Sequence, residues 1–321
     1  MIRVAASLLA WALMTAARAA APAGAPVPVD HHQHLLSPSM IEPGQQPITA
    51  AKLVAALDAA GIRRAVVLSN AYRFGSPQFA VPNPDEYARV ITENDWTARE
   101  AAKYPRRLVA FCGFNPLKEY ALRELLRCSR DPRLGRGIKL QFGNSDVDLH
   151  DSTDVAILRR LFRAANAEGL AIVVHLRPSE SRHRAYGAAE AQIFLEQLLT
   201  QAPDVVVQVA HLGGGGGGAI EAVAEEALTV FAAAFIRNDP RVRNLWLDVS
   251  GITGGADAAA RAPRIAQLLR AVGTKHLLYG SDGGDPTDPP PKQALAAFRG
   301  LPLSAAELRA IEGNVAPYLG R

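Results

Sequence analysis

The stretch "VPVDHHQHLLSP" (residues 27–38) sets His31, His32 and His34 close together, directly after an alternating apolar run. In an extended strand successive side chains point to opposite faces, so Asp30, His32 and His34 are expected to share one face. His31 and Gln33 take the other, where His31 is expected to be a packed or hydrogen-bonded residue. Two imidazoles in an HxH pair are weak evidence of a metal by themselves. Later segments strengthen the case: "VVHLRP" carries His175, "VAHLGG" carries His211 and "YGSDGG" carries Asp282, each at the end of a β-type run. Lys139 lies within "GIKLQF". Neutral imidazole and carboxylate suit a borderline divalent ion, Zn²⁺ above all. Such an ion lowers the pKa of bound water toward about 7, so hydroxide exists near neutral pH. Asp30, on the same face, is expected to orient a ligand imidazole.

These residues need a scaffold that brings strand ends together. Short β-type runs are read at residues 27–34, 64–69, 107–113, 137–141, 171–176, 205–211, 244–250 and 276–282, with helix-period segments between them. Runs such as "AIVV" and "VVVQVA" are nearly continuous in apolar β-formers, as suits strands buried on both faces of a parallel sheet. Eight βα units predict an α/β fold, a single-domain (β/α)₈ TIM barrel over residues 20–321, with the candidate residues at its C-terminal mouth. An open doubly wound sheet is the rival, but no glycine fingerprint follows the first strand. The segment from Leu303 onward is expected to pack as a terminal helix.

The ordered set Asp30-x-His32-x-His34, Lys139, His175, His211 and Asp282 resembles the amidohydrolase superfamily, and within it the amidohydrolase-2 branch of metal-dependent hydrolases. "NDWTAREAAKYPRRLVAFCGFNP", "GIKLQ", "VAHLGG", "YGSDGG" and "IEGNVAPYLG" carry the likeness over essentially all of residues 20–321. The resemblance implies His32, His34 and His175 as metal ligands and Asp282 as ligand or general base. It implies His211 as a second-metal ligand in a binuclear site or a substrate-polarising group in a mononuclear one. Lys139 matches a lysine that is carbamylated to bridge two metals in some relatives, so one or two ions per chain are implied. The leading expectation is a metal-dependent hydrolase cleaving a C–O or C–N bond, lactones and esters ahead of amides. Non-oxidative decarboxylation on the same site is the closest alternative, followed by a metal-free lactonase. A non-catalytic periplasmic binding barrel ranks last.

The loops should select the substrate. Arg73, Arg177, Arg182 and Arg184 lie on them, and arginine suits bidentate carboxylate binding. Arg73, Arg177 and Lys139 are therefore candidate contacts to a small carboxylate or lactone substrate. Tyr72, Phe74, Phe79 and Phe142 are candidate mouth aromatics. His150, His183 and His276 read as structural or surface residues, and turn capping accounts for Ser281 and Asp285. The run Gly213–Gly218 lacks the lysine and Ser/Thr of a phosphate-binding loop, and reads as a turn allowing close approach to His211.

Residues 1–19 combine Arg3, an apolar run at 4–14 and Ala17-Arg18-Ala19, the pattern of a secretory signal peptide. That run is well short of the roughly 20 residues needed to span a bilayer, so a periplasmic or secreted protein without membrane partner is expected. Removing this segment takes Arg3 and Arg18 from a chain whose formal charge is +4. No basic stripe interleaved with aromatics suggests nucleic acid. Cys112 and Cys128 are the only cysteines and are expected to be buried free thiols, a disulfide being the alternative.

Overall fold

The computed structural model describes residues 26–78, 85–254, 256–284 and 288–320. Residues 1–19, read above as a secretory signal, and Phe79 and Asp285 lie outside them. Eight strands pair in parallel and in chain order: β1 (Val27–Gln33), β2 (Ile62–Leu68), β3 (Leu108–Gly113), β4 (Gly137–Gln141), β5 (Ala171–His175), β6 (Val207–Val209), β7 (Leu245–Asp248) and β8 (Leu277–Leu278). The segment after β8 closes the ring on β1. His31 N donates to Tyr279 O at 2.9 Å, Asp282 N to His32 O at 2.9 Å and His34 N to Gly283 O at 2.7 Å. The expected TIM barrel is the observed fold.

Around the ring run α1 (Ala50–Ala60), α2 (Glu86–Ala102), α3 (Ala121–Ser129), the single turn α4 (Phe142–Ser145), α5 (Ser152–Ala167), α6 (Ala188–Ile193), α7 (Ala222–Ile236), α8 (Ala258–Val272), α9 (Pro291–Arg299) and α10 (Ala305–Gly313). Local chemistry fixes several ends. The Thr49 side chain accepts from Lys52 N at the start of α1, and Gly61 ends that helix in the left-handed region at φ +71°. Ser304 and Glu307 form a capping box on α10. Among the described residues no helix is long and apolar enough to cross a membrane.

Strand alternation divides the core in two. Ala65 and Val67 of β2 join the large cluster beneath the helices, whereas Val66 and Leu68 join the lumenal cluster with Val29, Phe111, Val173 and Leu278. Tyr318, beyond α10, enters that lumenal cluster from the C-terminal segment.

One expectation is corrected. Cys112 and Cys128 are not free thiols but form a disulfide, their Cα atoms 6.2 Å apart. Cys112 lies next to last in β3 and Cys128 in α3, so the two bury their sulfurs between strand and helix. With 16 residues of sequence separation, chain-entropy reasoning gives the bridge about 3 kcal/mol of stability. The double variant Cys112→Ala/Cys128→Ala should lose about that much in denaturant unfolding. Equal stability of the two proteins would refute this.

Candidate active site

The site residues converge at the C-terminal ends of the strands around a cavity of about 240 Å³. His32, His34, Lys139, His175, His211 and Asp282 all line it, joined by Asn70, Tyr72, Arg73, Gln141, Asn144 and Asp288. The candidate metal ligands, acid–base groups and substrate-contact residues therefore meet in one place, with the exception of Arg177. Arg177 does not line the cavity: its guanidinium lies 3.2 Å from Glu180 and over the Tyr186 ring. Arg184 is likewise committed to Asp146 and Asp148, and Arg182 to Asp146.

The first strand departs from simple alternation. Asp30 pairs with Ala65 and Gln33 with Val67, so three steps on β1 oppose two on β2. Such a bulge re-aims side chains. Ala65 and Val67 face the helices, and so do Asp30 and Gln33. Asp30 accepts from Gln33 Nε2, from Ser281 Oγ at 2.6 Å and from the backbone N of His32 and Ser281. The expectation that Asp30 orients a ligand imidazole is thus wrong, and Ser281 does more than cap a turn. The residue gained by the bulge lets His31 and His32 both turn inward. His31 is packed and hydrogen-bonded as expected, but beneath the site: Nδ1 donates to Tyr279 O at 3.0 Å, Nε2 accepts from Ala316 N at 3.2 Å, and its ring meets Tyr318.

The partner missing from the sequence reading is Asp248, the last residue of β7. Its Oδ2 accepts from His32 Nδ1 at 3.0 Å and from Gln208 Nε2 at 2.7 Å. Its Oδ1 accepts from the backbone N of His211 and Ser250 and from Ser250 Oγ. "WLDVS" follows the same signal used for "YGSD", an aspartate closing an apolar run, and that signal could have found it. Burial alone would raise this carboxyl; His32 and His211 and the hydrogen bonds from His32 and Ser250 hold it well below the usual range.

With Nδ1 of His32 donating to Asp248 and Nδ1 of His34 donating to Leu68 O at 2.6 Å, both rings are left with their Nε2 lone pairs. These lie 3.2 and 3.7 Å from Asp282 Oδ1. His32, His34 and Asp282 offer donor atoms all within 4.8 Å of one another. Two neutral imidazoles, each anchored through its other nitrogen, and one carboxylate make a donor set that fits a divalent ion. His175 stands outside this tight group, its ring 5.0 Å from that of His211. Lys139, almost wholly buried, places Nζ 3.2 Å from His32 Nε2. Burial brings its pKa down to about 8, against the opposing pull of Asp282 and Asp248.

Two site residues sit on unusual backbone. His211 adopts φ +54°, ψ +32°, and Asp282 has φ +60°. Non-glycine residues there cost about 1–3 kcal/mol and persist where the surroundings impose them. At His211 the imposition is visible, since its N–H is held by Asp248. Gly216, at φ +80°, presses on the same imidazole so closely that a Cβ would fall 2.9 Å from Cε1. The glycine run is thus a close-approach loop, although what it approaches is His211 itself, while Gly215 faces the cavity.

Other expectations resolve simply. His150 pairs with Glu190 and His276 stacks on Phe235, both structural roles as expected. Tyr72 lines the cavity, but Phe142 is fully buried in the core and Phe74 packs under Arg89. These two are not mouth aromatics.

The buried imidazoles make a pH prediction. Burial pulls His31 from 6.5 down to about 4. It also lowers His32, with Lys139 adding to the effect, and lowers His34 and His175 well below normal. Between those limits the unfolded chain binds protons the native one refuses, so stability rises with pH. Asp30, raised by burial from 3.8 to about 6, runs the other way, as do Glu93 and Asp154, also raised by burial, while His276 is lowered along with the site imidazoles. The metal-free protein should lose stability from pH 6.5 to 4.5, and His31→Gln should flatten the slope in urea titrations. An unchanged slope would contradict this account.

A barrel with histidine and aspartate donors at its C-terminal mouth is the architecture of metal-dependent amidohydrolases. The chain belongs to the amidohydrolase-2 family, whose amidohydrolase sequence profile matches residues 29–316. No significant match was found among curated protein sequences. Among solved structures, the chain is similar to 2,6-dihydroxybenzoate decarboxylase from Rhizobium (17% identity, 89% of this chain and 96% of that one, TM-score 0.59). It is also similar to a dihydroxybenzoic acid decarboxylase from Polaromonas sp. JS666 with bound manganese and the inhibitor 2-nitroresorcinol (16%, 90% and 95%, 0.60). An amidohydrolase II is comparably similar (19%, 88% and 96%, 0.60). At these identities the likeness establishes the shared fold.

Proposed function

We propose that the protein is a metal-dependent hydrolase acting on a small, polar, carboxylate-bearing ester or lactone at the barrel mouth. The observation that carries this reading is the paired-lone-pair geometry of His32 and His34 beside Asp282. One divalent ion would be held by His32, His34 and Asp282, with His175 completing the set across the cavity. When bound, such an ion makes hydroxide available near neutral pH and polarises a carbonyl. Asp282 takes the proton of the attacking water and returns it to the leaving oxygen. His211, whose Nδ1 donates to Ser250 O at 3.0 Å, faces the carbonyl side of the substrate. Lys139 and Arg73 bind the substrate carboxylate. Imidazole with carboxylate suits zinc and manganese alike; zinc is the proposed ion, and elemental analysis of the purified protein tests both identity and count.

Decarboxylation of an aromatic acid is the second reading, favoured by the decarboxylases that share the fold. Against it stands the polar cavity lining, in which Tyr72 is the one benzenoid side chain among the described residues. Turnover in ¹⁸O-water of a panel of lactones, esters, amides and hydroxybenzoates separates the two. Hydrolysis puts label into the organic product; decarboxylation leaves it unlabelled and shortens it by one carbon. Full activity of EDTA-treated, metal-free protein would sink the metal-dependent reading. We also propose export through residues 1–19. The Cys112–Cys128 bridge supports it, since such bridges persist in oxidising compartments, and cell fractionation with N-terminal sequencing tests it.

A further inference from the structure

The lower half of the barrel contains a chain of polar contacts that the proposed chemistry does not use. Tyr318, on the turn Pro317–Leu319 beyond the last helix, is buried against Phe111 and His31. Its hydroxyl donates to Gln208 Oε1 at 2.8 Å. The Gln208 amide thereby has its oxygen turned down, toward Tyr318, and its nitrogen turned up. Nε2 donates to Asp248 Oδ2 at 2.7 Å and more weakly to His31 O at 3.3 Å. Both of those partners can only accept, so the reversed amide would set its oxygen against two oxygens and lose the hydroxyl donor as well. Asp248 Oδ2 in turn takes the proton of His32 Nδ1. A hydrogen-bonded amide at the barrel axis, fully buried, is costly unless every partner is satisfied, and here every one is.

We infer that Tyr318 and Gln208 are positioning residues. The C-terminal segment plugs the barrel from below and, through Gln208 and Asp248, holds His32 in the Nδ1–H form from one side, while on the cavity side its Nε2 lone pair lies 3.2 Å from Lys139 Nζ. The importance of that lone pair for metal rests on the function proposed above; the tautomer itself does not. Partners one shell out from a ligand typically change metal affinity by about 10–100-fold. The inference places one such partner on β6 and another on a turn at the far end of the barrel.

The test uses Gln208→Met, which keeps bulk and removes the amide, and Tyr318→Phe, which keeps the ring and removes only the hydroxyl. In metal-free protein at pH 8, ¹⁵N-imidazole spectra assigned with a His32→Gln reference should show His32 as the Nδ1–H tautomer. Each variant should mix in the Nε2–H form. Titration with Zn²⁺ against a chelator should show weakening by about 10-fold or more for Gln208→Met, with a smaller loss for Tyr318→Phe. Tyr318→Phe carries the test if Gln208→Met does not fold. An unchanged His32 tautomer in a folded variant overturns the inference. A wild-type protein that binds no Zn²⁺ would instead sink the proposed function, while the tautomer spectra would still decide the relay.

Discussion

Asp282→Asn is expected to lower kcat by about 10³-fold, within the range that positioned acid–base groups supply, while leaving the protein as stable as the parent. Asp282 Oδ1 stands beside both lone-pair nitrogens, and its side chain remains partly open to the cavity at 22% exposure. The amide cannot take a proton from water, nor return one to a leaving oxygen. Its stability should survive because Asp282 sits at φ +60°, a region where asparagine is among the best-tolerated side chains. The two effects therefore separate: steady-state kinetics should collapse while the thermal midpoint holds. Metal content, read by mass spectrometry, should fall only partly, since the amide oxygen still coordinates and His32 and His34 keep their lone pairs. Activity within tenfold of the parent would remove Asp282 from the chemistry altogether.

What the residue pattern revealed and what it hid have separate physical causes. The eight strands were legible because β-branched runs recur at βα spacing, and each expected strand overlaps an observed one. The later strands come out shorter than their apolar runs. β8 is only Leu277–Leu278, because past Leu278 the chain bonds to the bulged β1, as at Asp282 N to His32 O, and no longer pairs with β7. His32, His34, His175, His211 and Asp282 were legible because mouth residues follow apolar runs directly. The faces of β1 were not, because a bulge breaks the period-two rule and nothing in "DHHQH" marks where it falls. Asp30 and His31 were misplaced for that reason alone. Gln208 and Tyr318 were invisible for another: one lies mid-strand and the other far beyond the last strand, and only the closed barrel brings them together. The disulfide depended on the approach of Cys112 and Cys128 in space, which sequence separation does not supply.

Asp248→Asn should be as damaging as the loss of Asp282, although Asp248 does not line the cavity. All five of its hydrogen bonds are accepted ones, and an amide must turn its NH₂ toward donors on one side or the other. If the NH₂ faces Oδ2's partners, it confronts Gln208 Nε2 and the proton on His32 Nδ1. His32 then escapes by moving that proton to Nε2, the nitrogen beside Asp282. Where an aspartate fixes the tautomer of an active-site histidine in a hydrolase, the same replacement costs about 10⁴ in kcat with geometry intact. A similar loss is expected here, together with Zn²⁺ affinity weakened by about 10–100-fold. If the NH₂ instead faces Oδ1's partners, it abuts the His211 and Ser250 N–H groups and removes what holds His211 at φ +54°. Stability should then fall by about 1–3 kcal/mol, a loss Asp282→Asn does not share. Kinetics, metal titration and denaturant unfolding together tell the two orientations apart. A variant near parental in all three would mean that the carboxylate under His32 is dispensable, and that the barrel, not Asp248, orients the ring.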